Sequence, residues 1–270
     1  MPVSLRRTIR NDKPVIEHAS SKPRVYLDTW ALQSISINYR DRFVEALNVK
    51  KGSLCLSFFN LVELAHYRNK DKKARIFELI DTVDSVLIDV DPDRVIASKT
   101  WYDMDFAKEI EKEMNPLEIF GVTSIIKHID NYVEQTGQRI LESFEKNLYP
   151  KVQQARKNKD VVKVSKLRLM KKNYVIKNDK PEVKVKAVLD ACFDFIVLKD
   201  QMRMDDGEWR DTFHTVVPVC CCDFVLIDGR WTRFLVESGL SYPQIAKVFN
   251  SKQTEDFLNE LEQFKASSSS

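Results

Sequence analysis

The chain has 270 residues, 43% of them apolar and 31% charged, with a formal net charge of +3. That is enough apolar material for one large domain or two small ones. No stretch approaches the ~20 apolar residues of a membrane span, and no apolar segment follows the basic start, so neither a membrane protein nor a secreted one is expected. Five cysteines, three of them adjacent at Cys220, Cys221 and Cys222, suit neither a disulfide framework nor a zinc site. Buried reduced thiols in a cytoplasmic protein are the expectation.

Residues 1–22 are polar and basic without a clear period, and they read as a flexible arm. An α/β alternation follows. Arg24–Leu27 predicts a strand, and apolar positions at Leu32, Ile35, Tyr39, Phe43, Ala46 and Leu47 predict a helix. Lys51-Gly52 predicts a turn before a short strand at Ser53–Leu56. Ser57 is a good N-cap for a helix to about Tyr67, and a further helix is expected over Lys72–Val83. Val86–Val90 predicts a third strand, and Asp91-Pro92 starts another helix.

From about Trp101 to Gln201 helical periodicity replaces strand signals: 106–114, 122–148, 161–172 and 183–198. The alternation resumes with a helix at Trp209–Cys222, a strand at Phe224–Ile227, a helix at Trp231–Glu237, a strand at Ile245–Phe249 and a helix at Glu255–Phe264. The last five residues, 266–270, end in a serine run and read as a disordered tail. The expected organisation is therefore an α/β domain built from 23–100 and 205–265, with 101–204 as a helical, Lys-rich insertion.

Two of the strands end on an aspartate, Asp28 and Asp228. Continuous apolar strands of this kind belong in a parallel sheet, and ligands of such sheets bind beyond the carboxyl ends of the strands. Glu63 stands among Phe59, Leu61, Val62, Leu64 and Ala65, where an unpaired charge is costly. Asp211 lies at the start of an apolar helix. Carboxylates crowded together repel unless a cation separates them. Oxygen-only ligands select Mg²⁺ or Mn²⁺, and such ions activate water for attack at phosphorus. Asp223, just before the second strand, is an accessory metal candidate. His214, one turn after Asp211, is expected to contact phosphate or to orient a carboxylate.

Val25-Tyr26-Leu27-Asp28-Thr29, the Ser57…Glu63-Leu64 helix, Asp211-Thr212-Phe213-His214 and Phe224-Val225-Leu226-Ile227-Asp228 resemble the four motifs of PIN-domain nucleases. The resemblance covers about 24–100 and 205–264. It implies a three-layer α/β/α sandwich with a parallel central sheet. It also implies that Asp28, Glu63, Asp211 and Asp228 bind Mg²⁺ or Mn²⁺ and catalyse hydrolysis of RNA, or of DNA as in the flap-nuclease relatives. The block at 101–204 departs from the small toxin-like members.

The charge is uneven. Between Lys146 and Lys186 fourteen Lys or Arg face three acids, a local +11, which leaves the rest of the chain near −8. Lys157, Lys159, Lys163, Lys166, Arg168, Lys171 and Lys172 read as a collar for a phosphate backbone. No phosphate-cradling glycine motif is present, so no nucleotide cofactor is expected. The leading expectation is a metal-dependent endoribonuclease. A DNA nuclease and a catalytically silent binding or scaffolding protein stay open, as do a protein inhibitor and a homo-oligomer as partners.

Overall fold

Strand residues buried on both faces carry the fold, which is α/β with a five-strand parallel central sheet flanked by helices. The structure is a computed structural model. It describes residues 20–102, 138, 142, 145–171, 174, 176, 178–199, 201, 202 and 204–265, with the backbone of 3–4, 7–10 and 13–16. The chain opens with β1 (Val3–Ser4), β2 (Arg7–Arg10) and β3 (Lys13–Ile16), then β4 (Arg24–Leu27), α1 (Thr29–Asn38), α2 (Arg40–Val49), β5 (Ser53–Ser57) and α3 (Phe58–Ala65). It continues through α4 (Lys70–Thr82), β6 (Ser85–Ile88) and α5 (Pro92–Ser98) to α6 (Lys159–Lys171) and α7 (Pro181–Leu198). The last elements are α8 (Asp206–Val216), α9 (Pro218–Cys221), β7 (Phe224–Leu226), α10 (Gly229–Glu237), β8 (Lys247–Phe249) and α11 (Thr254–Gln263). Residues 145–157 are also helical where described.

The sheet order is β1-β6-β5-β4-β7-β8. Strands β6, β5, β4, β7 and β8 are parallel, and β1 pairs antiparallel with β6 at one edge. The chain thus builds outward from β4 in one direction through β5 and β6, then returns to β4's other side with β7 and β8. That reversal opens a crevice at the carboxyl ends of β4 and β7.

Side chains alternate between the two faces with the period of two that strands impose. Val25, Leu27, Leu54, Leu56, Leu87, Phe224 and Leu226 share a core with α1, α2, α3, α4 and α11. Tyr26, Cys55, Val86, Ile88 and Val225 share the other core with α5, α7, α8, α9 and α10. Each such Val, Leu or Phe contributes ~1.5–3 kcal/mol by leaving water. Gly52 marks a close approach before β5: a Cβ there would lie 2.6 Å from the Pro23 carbonyl oxygen. Among the described residues no helix is long and apolar enough to cross a membrane.

Several expectations change. The segment read as an arm contains strands: β1 joins the main sheet, and β2 and β3 pair antiparallel across residues 11–12. Backbone hydrogen bonds make such ladders without an apolar period, so the sequence hides them. The helix expected from Leu32 to Leu47 is two, because Tyr39 leaves helical geometry at φ −137° and ψ 13°. The helix expected over 209–222 also divides, before Pro218, whose missing N–H interrupts it. The boundary expected near residue 204 does not separate cores: Val185, Val188, Ala191, Cys192, Phe195 and Ile196 of α7 pack in the same cluster as the sheet residue Tyr26. The helices expected over 106–114 and most of 122–148, and the serine tail, lie outside the described residues.

Candidate active site

The end of β4 is stitched to its neighbours by backbone polar groups. The Asp28 N–H donates to the Leu226 carbonyl at 3.1 Å, so Asp28 sits level with the end of β7. Its side chain then caps α1, accepting from the Ala31 N–H at 3.0 Å. On the other flank, Ser57 and Asn60 form a reciprocal cap on α3. The Asn60 amide also donates to the Leu27 carbonyl at 3.3 Å, which fixes α3 against β4. Glu63 is carried one turn further and meets Thr29, whose hydroxyl donates to its Oε2.

The other half of the site comes from α8 and α10. His214 on α8 is 5% exposed. Its Nδ1 is hydrogen-bonded to the Tyr26 hydroxyl, which also lies 3.2 Å from the Ser57 hydroxyl. Its Nε2 is 3.4 Å from Glu63 Oε1, an ion-pair distance rather than a well-formed hydrogen bond. One turn earlier, Asp211 Oδ2 accepts from Arg230 Nη2 at 2.8 Å. Arg230 Nη1 bonds Glu208 as well. Asp228 caps α10, accepting from the Arg230 N–H at 2.7 Å. One arginine thereby links three acidic positions around the end of β7.

These groups lie close enough to set one another's proton affinity. Burial, opposed by the Ala31 N–H and by His214 and reinforced by Glu63 and Asp211, pushes Asp28 up to about 7. Burial also raises Asp211, against the pull of His214 and Arg230 and with the help of Glu208 and Asp228. Burial opposes charge on Glu63, but His214, Thr29 and Arg210 outweigh it and hold its pKa below the ordinary value. Burial likewise opposes charge on His214, but Glu63, Asp28 and Asp211 outweigh it and raise its pKa. Burial drives the Tyr26 phenol well above its ordinary value. The result is a paired Glu63–His214 beside two carboxylates that resist ionising.

Asp28, Glu63, Asp211 and Asp228 are thus brought to one end of the sheet from four separate segments. As they stand they do not form a ready chelate: among the described residues no group of three or more His, Cys, Asp or Glu is arranged to hold a metal ion. The donor chemistry fits a hard cation all the same. Oδ2 of Asp28, Oδ1 of Asp211 and Oδ2 of Asp228 accept no hydrogen bond among the described residues, and all are oxygens.

Two expected site residues fall elsewhere or act otherwise. Asp223 is at the start of β7, not its end. Its Oδ2 accepts from the Arg24 N–H at 2.8 Å, and Lys22 lies 3.7 Å away. Phe224, Val225, Leu226 and Ile227 separate it from Asp228, five extended steps or roughly 16 Å, so it cannot share an ion with Asp28. His214 is buried and cannot reach phosphate, although it does orient a carboxylate. Arg168 lies 3.7 Å from Asp194, which also accepts from Ser165 and Tyr174. Its side chain is 56% exposed all the same. Lys157, Lys159, Lys163 and Lys166 are exposed, whereas the Lys171 side chain and Lys172 lie outside the described residues. The α6 helix packs on α7, which in turn packs on α8.

The sequence singled out no role for Glu208 or Arg230, and it gave Tyr26 and Thr29 only as members of the motif around Asp28. Comparison of the chain with models of known families, with characterised proteins and with solved structures finds no match.

Proposed function

We propose that the chain is a PIN-like, metal-dependent nuclease that hydrolyses phosphodiester bonds, most of all those of single-stranded RNA. The observation that carries this is the meeting of Asp28, Glu63, Asp211 and Asp228 at the carboxyl ends of β4 and β7, the two strands at which the sheet order reverses. The three-layer α/β/α arrangement of that family accords with helices over both sheet faces. Asp28, Glu63, Asp211 and Asp228 would hold Mg²⁺ or Mn²⁺, which when bound supplies an activated water and charge compensation at phosphorus.

The chain's own groups prepare the site. The α1 cap fixes Asp28, while Thr29 and His214 fix the two oxygens of Glu63. Arg230 restrains Asp211, and its guanidinium is placed to meet a phosphate when that bond is released. The exposed lysines of α6 extend the basic surface available to a nucleic-acid backbone.

The test is incubation of the protein with labelled single-stranded RNA, single-stranded DNA and a flap duplex, each with Mg²⁺, Mn²⁺ or EDTA. Cleavage of RNA that needs the metal supports the proposal, and absence of cleavage in every arm removes it. A second reading, a catalytically silent nucleic-acid-binding protein of the same fold, is favoured by the ion pairs on Glu63 and Asp211. It predicts RNA binding unaffected by Mn²⁺ and no cut product.

A further inference from the structure

A polar cleft of about 650 Å³ opens at the amino ends of β4, β7 and β8, walled by α7 and α11. It lies at the far end of the sheet from the acidic cluster. Arg24 heads β4, and Asp28 stands four extended steps, roughly 13 Å, beyond it. Five cations line the cleft against three acids, a net +2. Each acid is answered by a lysine: Asp223 by Lys22 at 3.7 Å, Asp179 by Lys184 at 2.9 Å and Glu260 by Lys247. Arg24 and Lys265 make up the surplus. Two observations point to an anionic occupant. First, the Arg24 guanidinium is held in place with its outer nitrogens free. It lies over the Trp101 ring, 4.8 Å from the centroid, and its Nε stands 3.6 Å from Asp223 Oδ2. Nη1 and Nη2 make no hydrogen bond among the described residues, and unlike Nε neither is buried. Second, α7 is eighteen residues long and starts at Pro181 on the cleft wall, and its N-cap Lys180 makes no side-chain cap bond. The positive end of its dipole therefore adds to the field in the cleft.

We propose that this cleft binds a small phosphomonoester, with its phosphate on the Nη pair of Arg24 and Lys265 at the rim. Charge and size choose the class. A phosphomonoester carries about −2 at neutral pH, which matches the surplus of the cleft, whereas a carboxylate would leave one cation unanswered. The fork of an arginine fits two phosphate oxygens at once, and a guanidinium already fixed by stacking loses little further freedom in meeting them. The cleft has the size of a small-molecule site and exceeds what a bare phosphate fills. The organic part of the ester takes up the rest, where Tyr242, 63% exposed, lines the cleft. The site is independent of the nuclease reading, because neither a metal nor any of the four clustered carboxylates takes part.

The test is calorimetric titration of glycerol 3-phosphate, ribose 5-phosphate and 5′-AMP, and separately of inorganic phosphate, into the full chain in EDTA at neutral pH. The expected result is saturable binding of at least one ester, tighter than that of inorganic phosphate. Arg24→Gln should weaken it about tenfold or more, while the backbone N–H that holds Asp223 stays in place. Lys265→Glu should weaken it about threefold, and at an exposed position near the end of the chain it does not put folding at stake. Asp28→Asn should bind the ester as wild type does. No saturable uptake of any ester, uptake of inorganic phosphate as tight as that of every ester, or wild-type affinity in both Arg24→Gln and Lys265→Glu would overturn the inference. So would weakened binding in Asp28→Asn, which would move the ligand to the acidic cluster. EDTA removes the metal, so failure here leaves the nuclease reading standing, and a chain that cuts no nucleic acid leaves this site standing.

Discussion

Replacing Asp28 by asparagine should stabilise the metal-free protein at alkaline pH while destroying its activity. Asparagine caps a helix as well as aspartate does, so the bond from the Ala31 N–H survives. What disappears is the ionisable group, 8% exposed and shifted from an ordinary 3.8 to about 7. Its folded pKa is raised, so the folded state binds the proton more tightly than the unfolded state. The stability associated with it is present below about pH 4 and is lost as pH rises through about 7. At ~1.4 kcal/mol per pH unit, the ionised carboxylate costs the fold up to ~4 kcal/mol at pH 8. Relaxation of the surroundings and the imperfect fit of an amide reduce the gain of the variant to about 1–3 kcal/mol. Urea unfolding in EDTA at pH 4.5, 6 and 8 measures it. The difference between variant and wild type should be smallest at pH 4.5, about a quarter of its full size, grow through pH 6 and level off above about pH 7. A variant that is less stable than wild type at pH 8, or whose difference does not change with pH, would refute the reasoning.

Four further outcomes are expected. His214→Ala should lose about 2–4 kcal/mol in the same unfolding assay, because it leaves the Tyr26 hydroxyl and Glu63 without their buried partner; a loss under 0.5 kcal/mol would deny the pairing. Asp211→Asn should abolish cleavage yet leave unfolding within about 1 kcal/mol of wild type, since its partner Arg230 is 43% exposed; retained activity would exclude Asp211 from the site. Gly52→Ala should destabilise by about 1–3 kcal/mol through its clash with the Pro23 carbonyl, and an unchanged urea midpoint would contradict that packing. Charge reversal at Lys159, Lys163 and Lys166 should reduce the log–log salt slope of RNA binding by ~0.7 for each phosphate that a lysine no longer neutralises; an unchanged slope would assign α6 to another role.

The sheet was legible because its strands are apolar on both faces: Val25, Tyr26 and Leu27 are all fully buried, and so short a run, rich in β-branched and aromatic residues, suits a central strand. The cap at Ser57 and the proline start of α5 were legible for the same local reason, a side chain answering to its own backbone. The strands before residue 20 were not, since Arg7-Thr8-Ile9-Arg10 pairs through backbone groups that every residue carries. The four carboxylates were singled out from their local settings. Asp223 stands just before its strand as expected, but its role was not legible, because its partner Arg24 is 199 positions away. Arg230 and Glu208 escaped notice for a similar reason: each is an ordinary helix residue until α8 and α10 bring them together at Asp211.

The central claim is that Asp28, Glu63, Asp211 and Asp228 act together on one metal centre. Calorimetric titration of Mn²⁺ into the wild-type protein and into Asp28→Asn and Asp211→Asn at pH 8 tests it most directly. The account predicts saturable binding by the wild type that weakens at least tenfold in each variant, although the two carboxylates lie in segments far apart in the chain. Wild-type protein that takes up no Mn²⁺, or variants that bind it as tightly as wild type, would contradict the account.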